Sequence, residues 1–323
     1  MAGRRVTHEL TLGESSSEVF AVRWSADDSL IAASMGDGSI SLFSATNGSQ
    51  IRQLRCRVSE DNMPVTGIRW RPLVSVTKTK HILLSVTSDG GIIHWHATSG
   101  KELHRQMLPG TQCLACDFSK EGNMYAVGSQ DMFIRIYDEA TKAEISLLSQ
   151  GVGERIGHSN RIFSVKWVSD SIIASAGWDN NILLWDVRSQ AVVRSIFGPH
   201  VCGDALDVRG DILVSGSFSS VDQLELWSVL SGEKEKARTL QQGEVPCQLY
   251  AVQYSKHDGG RTLAAGGTGA GECYFFDSDS LQLFSHMTHI PGSVFSIDHA
   301  HNEPRVAIGC GDGTIRVATI SPA

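Results

Sequence analysis

Three short groupings in this sequence could carry chemistry. Cys113-Leu-Ala-Cys116 has the spacing of a redox pair or of half a zinc site. Zinc normally takes four ligands, no second pair follows, and residues three apart on a strand face opposite sides. Two buried structural thiols are therefore expected. His94 and His96 flank Trp95 and share a strand face, but two imidazoles without a third ligand read as a packed or solvated pair. Gly266-Gly-Thr-Gly-Ala-Gly271 has the glycine spacing of a phosphate loop. Such loops work because a helix follows and aims its amides at the phosphate. Here Cys273-Tyr-Phe-Phe276 follows and reads as a strand, so the glycines are expected to form a turn. There is no serine nucleophile elbow, no metal triad and no carboxylate pair in a common frame. The expectation is a non-catalytic protein with no cofactor, no metal and no small-molecule substrate.

The elements that would position such residues are set by composition and period. The chain has 323 residues, 41% hydrophobic and 20% charged, with 32 glycines and a net charge of −7. That is too apolar for a disordered chain and too rich in turn residues for a coiled coil. The acidic balance and the lack of a dense Lys/Arg run argue against nucleic acid as a primary ligand, which would require a positive surface. Behind Arg4 and Arg5 no apolar segment follows, so no secretory signal is expected, and no apolar run approaches the ~20 residues of a membrane helix. Seven scattered cysteines do not make a disulfide framework. A reducing compartment, cytoplasm or nucleus, is the expected location.

A repeat organises the whole chain. A short segment ends at Trp24, Trp70, Phe118, Trp167, Val208, Tyr254 and His299, in steps of 46, 48, 49, 41, 46 and 45 residues. Each is followed by an apolar run ending in small residues, then a tight turn, which carries Asp37, Asp89, Asp131, Asp179 or Asp312 in five repeats. Asp and Gly suit such turns. A third alternating segment follows, such as Ile182-Leu-Leu-Trp185, and a fourth closes most repeats, such as Leu281-Gln-Leu-Phe284. Period-2 alternation over these lengths means strand, and four strands per ~45 residues is the period of a propeller blade. Seven repeats fill the chain. The last lacks a fourth strand, while residues 4–12 offer an unassigned alternating one. The fold expected is an all-β, seven-bladed propeller of four-stranded antiparallel blades over residues 1–323, one domain, its seventh blade closed by the N-terminal strand.

These repeats resemble the WD-repeat β-propeller family, most closely from Gly157-His158 to Trp185-Asp186. The resemblance implies a buried hydrogen-bonded tetrad of His158, Ser175, Asp179 and Trp185, structural rather than catalytic. It implies partial sets in the fifth repeat (His200, Ser215, Trp227) and in the second (Ser85, Asp89, Trp95). Repeats one, three, six and seven keep little beyond the turn and the period.

In propellers similar to this one, the start of each innermost strand lines the top face. Aligning the repeats places Phe20, Thr66, Leu114, Phe163, Asp204, Tyr250 and Phe295 at one equivalent position. The fourth repeat adds Arg161 and Trp178. Phe20, Arg161, Phe163, Trp178, Tyr250 and Phe295 are the candidate partner-binding rim, since large rings and arginine most often anchor interfaces. The competing reading is that the rings fill the channel mouth. Trp185-Asp-Val-Arg188 has the form by which substrate receptors of cullin-type ubiquitin ligases contact their adaptor, which makes Arg188 a candidate adaptor contact, though an ordinary strand ending gives the same tetrapeptide. Arg52, Arg55, Arg57, Arg69, Arg71, Lys78 and Lys80 form a modest basic cluster, read as a patch for an acidic partner or as a solvated face. The function expected is a scaffold for other proteins in a multiprotein complex; the alternatives are a ligase substrate receptor and a propeller hydrolase.

Overall fold

The computed structural model describes residues 4–13, 15–56, 62–74, 79–149, 156–269 and 271–321. Alternating β-branched and aromatic residues form strands along the chain, and no helix occurs among the described residues. The strands make seven four-stranded antiparallel sheets. In blade 1 these are Val19–Trp24, Leu30–Met35, Ser39–Ser44 and Gln50–Arg55. Blades 2 to 6 repeat this order from innermost strands Val65–Trp70, Cys113–Phe118, Ile162–Trp167, Leu206–Arg209 and Leu249–Tyr254. Blade 7 is built from Val294–His299, Arg305–Cys310 and Ile315–Ser321, and its outer strand is Arg5–Leu12 from the other end of the chain, running Arg5 opposite Ser321 to Leu12 opposite Ile315. Each innermost strand packs on the next, and the seventh packs on the first, so the sheets close into a ring. Closure by the N-terminal strand is thus as the repeat count requires. In blade 6 the outer strand is Leu283–Met287; Leu281, expected at its start, takes φ 54° in the preceding turn.

The core lies between blades, as six clusters of buried apolar side chains that span the blade junctions. Small residues on the second strands let one blade back onto the next. A Cβ on Gly266 would stand 2.5 Å from Val294 Cγ1, and one on Gly309 would stand 2.7 Å from Val19 Cγ1.

An innermost strand is also a sheet edge, with backbone groups that need partners facing the channel. The residue just before each repeat's terminal position supplies a partner at every junction. Trp70 Nε1 donates to the Arg23 carbonyl at 3.0 Å between blades 1 and 2, and Arg69 pairs with Asp117 at 3.2 Å between blades 2 and 3. Trp167 N donates to Asp117 Oδ2 at 3.0 Å, Lys166 pairs with Asp207 at 3.3 Å, and Tyr254 N donates to Asp207 Oδ2 at 2.9 Å. His299 N donates to Gln253 Oε1 at 2.7 Å. Finally Trp24 N donates to Asp298 Oδ2 at 2.8 Å across the closing joint between blades 7 and 1. Asp298 also accepts from Gln253 at 2.7 Å and from Lys256 at 2.9 Å. Burial alone would push its carboxyl up, but Lys256 and Arg23 overcome this and hold it well below the usual carboxylate range.

Two predictions follow from this axis. Asp298→Ala removes a buried anion from a lysine, an amide and a backbone N–H, and should cost about 3–5 kcal/mol in urea unfolding, as for a broken buried pair. His299 is fully buried, and neither ring nitrogen has a partner among the described residues. Burial pushes its imidazole down to about 3, against ~6.5 in the unfolded chain. Between those values the unfolded state binds the extra proton, so stability is complete above the unfolded value and declines as pH falls. From pH 7 to pH 5 the wild type should lose about 2 kcal/mol more than His299→Phe, read from paired denaturation curves.

Candidate functional site

The ladder between first and second strands slips by one residue near the start of six innermost strands. The skipped residues are Phe20, Thr66, Leu114, Phe163, Tyr250 and Phe295. A bulge of this kind leaves one residue unpaired and re-aims its side chain. In blade 5 the innermost strand begins only at Leu206, and Asp204 precedes it at the same repeat position. All seven of these residues line a single cavity of about 320 Å³ at one mouth of the channel.

Its wall is mostly aromatic. Phe20 stacks with Phe295 at 6.0 Å between centroids, Phe295 meets Tyr250 edge-on at 5.0 Å, and Tyr250 meets Phe218 at 5.2 Å. Across the mouth, Phe163 lies 5.1 Å from Trp178. Trp178 and Arg161 do not line the cavity; they form a shelf beside it. Trp178 is 39% exposed, with the Arg161 guanidinium 4.7 Å from its ring centre and His200 stacked on it at 6.3 Å. The structure thus brings Phe20, Phe163, Tyr250 and Phe295 together and sets Arg161 and Trp178 next to them.

The floor is ionic. Asp204 reaches across the channel to Arg23 and to Arg69, the latter at 2.7 Å. Burial raises the Asp204 carboxyl, but Arg69 and Arg23 outweigh it and keep the group well below the usual carboxylate range. It is a fixed counter-ion. A general acid or base works best with a pKa near the operating pH, and Asp204 is far from one. A second, smaller cavity on the far side of this bridge shares Arg23 and Arg69 and is lined by Asp117, Lys166, Lys256 and Asp298, so the bridge divides the channel.

In blade 4, Trp185 Nε1 donates to Ser175 Oγ at 2.8 Å, Ser175 Oγ lies 2.7 Å from His158 Nε2, and His158 Nδ1 lies 2.7 Å from Asp179 Oδ2. With Asp179 ionised, Nδ1 is the donor to it, and Ser175 gives its proton to Nε2. Burial raises the Asp179 carboxyl, but His158 together with the backbone N–H groups of Ser159 and Asn181 more than offsets this and holds it below the usual value. In blade 2, Trp95 Nε1 donates to Ser85 Oγ at 3.0 Å, with Cys56 Sγ 3.8 Å from that hydroxyl. Asp89 accepts from Thr87 in its own turn. Blade 5 departs from the expectation. Trp227 Nε1 donates to Ser215 at 2.9 Å, but His200 turns to Asn180 Oδ1 at 2.7 Å. The one carboxylate of the blade-5 turn, Asp222, accepts from Thr239 instead, and Asn180 of blade 4 supplies the acceptor for the His200 ring, which stacks on Trp178.

The facing expected of the two cysteines also needs correction. Cys113 and Cys116 do not face opposite sides. The bulge at Leu114 sets them opposite Ser129 and Val127, two residues apart, so both enter one core cluster. Burial pushes both thiols up to about 12. His94 is buried with Nε2 on Glu139 at 3.0 Å, while His96 Nδ1 contacts Ser99 at 2.6 Å; no group of three or more metal-ligating side chains forms among the described residues. The basic cluster disperses. Arg69 lies in the channel, Arg71 pairs with Glu139 at 3.3 Å, Arg52 donates to the Thr98 carbonyl, and Arg57 and Lys78 lie outside the described residues. Gly266 and Gly267 end a second strand, Ala270 lies outside the described residues, and Cys273–Asp277 is a strand. Arg188 is 75% exposed and held by Asp186 through bonds of 3.0 and 2.6 Å.

The channel role of Arg23, Arg69, Asp117, Lys166, Asp207, Gln253 and Asp298 escaped the sequence reading, which placed Arg69 in a surface cluster and passed over the others, although they stand in the same short segments that revealed the repeat. Seven polar residues, six of them charged, each directly before an apolar or aromatic strand end, were the available signal.

Residues 3–73 match the model described as anaphase-promoting complex subunit 4 WD40 domain. Residues 102–138, 151–186 and 281–317 match the WD domain, G-beta repeat. The B-type cell cycle switch protein ccs52B of Medicago truncatula is 24% identical over 94% of this chain and 58% of its own length. The serine-threonine kinase receptor-associated protein of Mus musculus is 28% identical over 69% of this chain and 59% of its own. A guanine nucleotide-binding protein subunit beta of Solanum tuberosum is 24% identical over 75% and 66%. The chain thus spans less than two thirds of the length of these relatives. Relatives of this kind are generally protein-interaction modules, typically non-enzymatic, that work in protein complexes. No helix among the described residues is long and apolar enough to cross a membrane. Seven four-stranded blades, a closing strand and the repeat matches together show that the chain belongs to the WD-repeat β-propeller family.

Proposed function

We propose that this propeller is a non-catalytic platform that acts as one unit in a multiprotein complex and receives a protein partner at the bulge-lined mouth. The observation that carries this reading is the convergence of one unpaired-position residue from each of seven blades on a single cavity, four of them aromatic. Such residues contribute nothing to strand pairing, so their apolar surface has another use. The Arg161–Trp178 shelf beside Phe163 adds the residue types that dominate binding energy at interfaces. Arg188 supports a second reading, that of a substrate receptor for a cullin-type ligase. Its guanidinium is exposed and held in a fixed orientation by Asp186, as a docking contact would require.

One capture experiment tests both. The tagged wild type and the Phe163→Ala/Trp178→Ala and Arg188→Ala variants are used as baits in extract of the source organism, with quantitative mass spectrometry and a thermal melt of each bait. The double variant should lose its specific partners at least tenfold while melting as a folded protein. Equal capture by two folded baits removes the mouth as the site. Selective loss of a cullin adaptor with Arg188→Ala would establish the second reading, and its absence from the wild-type capture would retire it.

A further inference from the structure

The mouth also says what kind of side chain it admits. Its charged groups are already committed. Arg23 donates to the Val22 carbonyl at 2.6 Å, Ser296 Oγ at 2.9 Å and the Ile297 carbonyl at 3.3 Å, as well as to Asp204. Arg69 serves the Ile68 carbonyl at 3.0 Å, Asp117 and Asp204. Thr66 Oγ1 donates to the Cys113 carbonyl at 2.6 Å. An entering carboxylate would have to displace Asp204 from its arginines. An entering ammonium would approach a carboxylate that already faces Arg69, Arg23 and Lys166. Either ion gives up its water for a site whose charged groups already have partners, which is the costly case for buried charge. A neutral apolar group pays no such penalty and gains by covering Phe20, Leu114, Phe163, Tyr250 and Phe295. Just outside, Arg161 lies over Trp178, which touches Phe163, and no carboxylate stands within ion-pair distance of Arg161 among the described residues.

Resting on the reading of the mouth as the partner site, we infer that its ligand is a peptide segment that inserts one neutral aromatic or aliphatic side chain and carries an acidic residue within two positions of it, for Arg161. The paired floor sets the anchor, and the shelf cation, which has no ion-pair partner among the described residues, sets its neighbour.

The probe is a random ten-residue phage-displayed library, panned on the wild type and counter-selected on a folded Phe163→Ala/Tyr250→Ala variant. Synthetic versions of the recovered peptides are then titrated by fluorescence anisotropy. Recovered peptides should share Phe, Leu, Ile, Met or Trp next to Asp or Glu. Lys, Arg or Glu in place of the anchor should weaken binding at least tenfold, and Arg161→Glu, a surface change that leaves the wall intact, should reverse the preference to a basic neighbour. Peptides anchored by Lys, Arg or an acid, yet still dependent on Phe163 and Tyr250, would overturn this inference and leave the mouth as the site. So would a neighbour preference that ignores Arg161→Glu. Failure to recover any peptide that distinguishes the wild type from the folded double variant would overturn the reading of the mouth itself, and this inference with it.

Discussion

The structure depends on how seven separate sheets are tied together at their narrow ends. Side-chain packing can press blades together, but the edge of each innermost strand faces the channel and cannot be satisfied by packing. In this ring a single repeat position ties all seven junctions: Asp117, Asp207, Gln253 and Asp298 accept from edge N–H groups, the Arg23 carbonyl accepts from an indole, and Arg69 and Lys166 add ion pairs across the remaining two joints. Five of the seven are charge-assisted, a kind roughly twice as strong as neutral bonds, and they sit where a slipped blade would break them at once.

The same position, together with Asp204 and Lys256, makes the channel electrostatically self-contained. Arg23, Arg69, Lys166 and Lys256 face Asp117, Asp204, Asp207 and Asp298. Four cations against four anions leave no net charge to draw in an ion, although the chain as a whole carries −7. Desolvating so many charges is costly unless every one is paired. The cross-channel bridge from Asp204 to Arg23 and Arg69 completes that pairing and gives the aromatic mouth a closed floor.

The fold was legible in the sequence because its signal is redundant. Seven repeats of strand, small residues, turn and strand survive the loss of any one signature, and even the closing strand could be inferred from a missing partner. The site was only half legible. Aligning repeats found the mouth position, because Phe20, Phe163, Tyr250 and Phe295 share it. It missed the bulge that explains why those side chains leave the ladder, since nothing in Cys113-Leu-Ala-Cys116 distinguishes a slipped register from a regular one. That omission produced the wrong facing for the two cysteines. His200 was misplaced for a related reason. Its partner is decided by Asn180 of the preceding blade, a contact between repeats that a reading within one repeat does not contain.

The slipped register has a further consequence for how such a protein can change. A residue in the ladder is constrained by its neighbours on both faces, and altering it disturbs the blade. The five skipped aromatic and aliphatic residues, Phe20, Leu114, Phe163, Tyr250 and Phe295, escape most of that constraint, for their backbone is fixed by flanking pairs while their side chains face the cavity; Thr66 and Asp204 stay bound to the Cys113 carbonyl and to the two arginines. Specificity and foldability are thereby written in different positions of the same strand. One ring could acquire a new ligand through a handful of substitutions at the mouth, at little expense to the bonds that hold its axis.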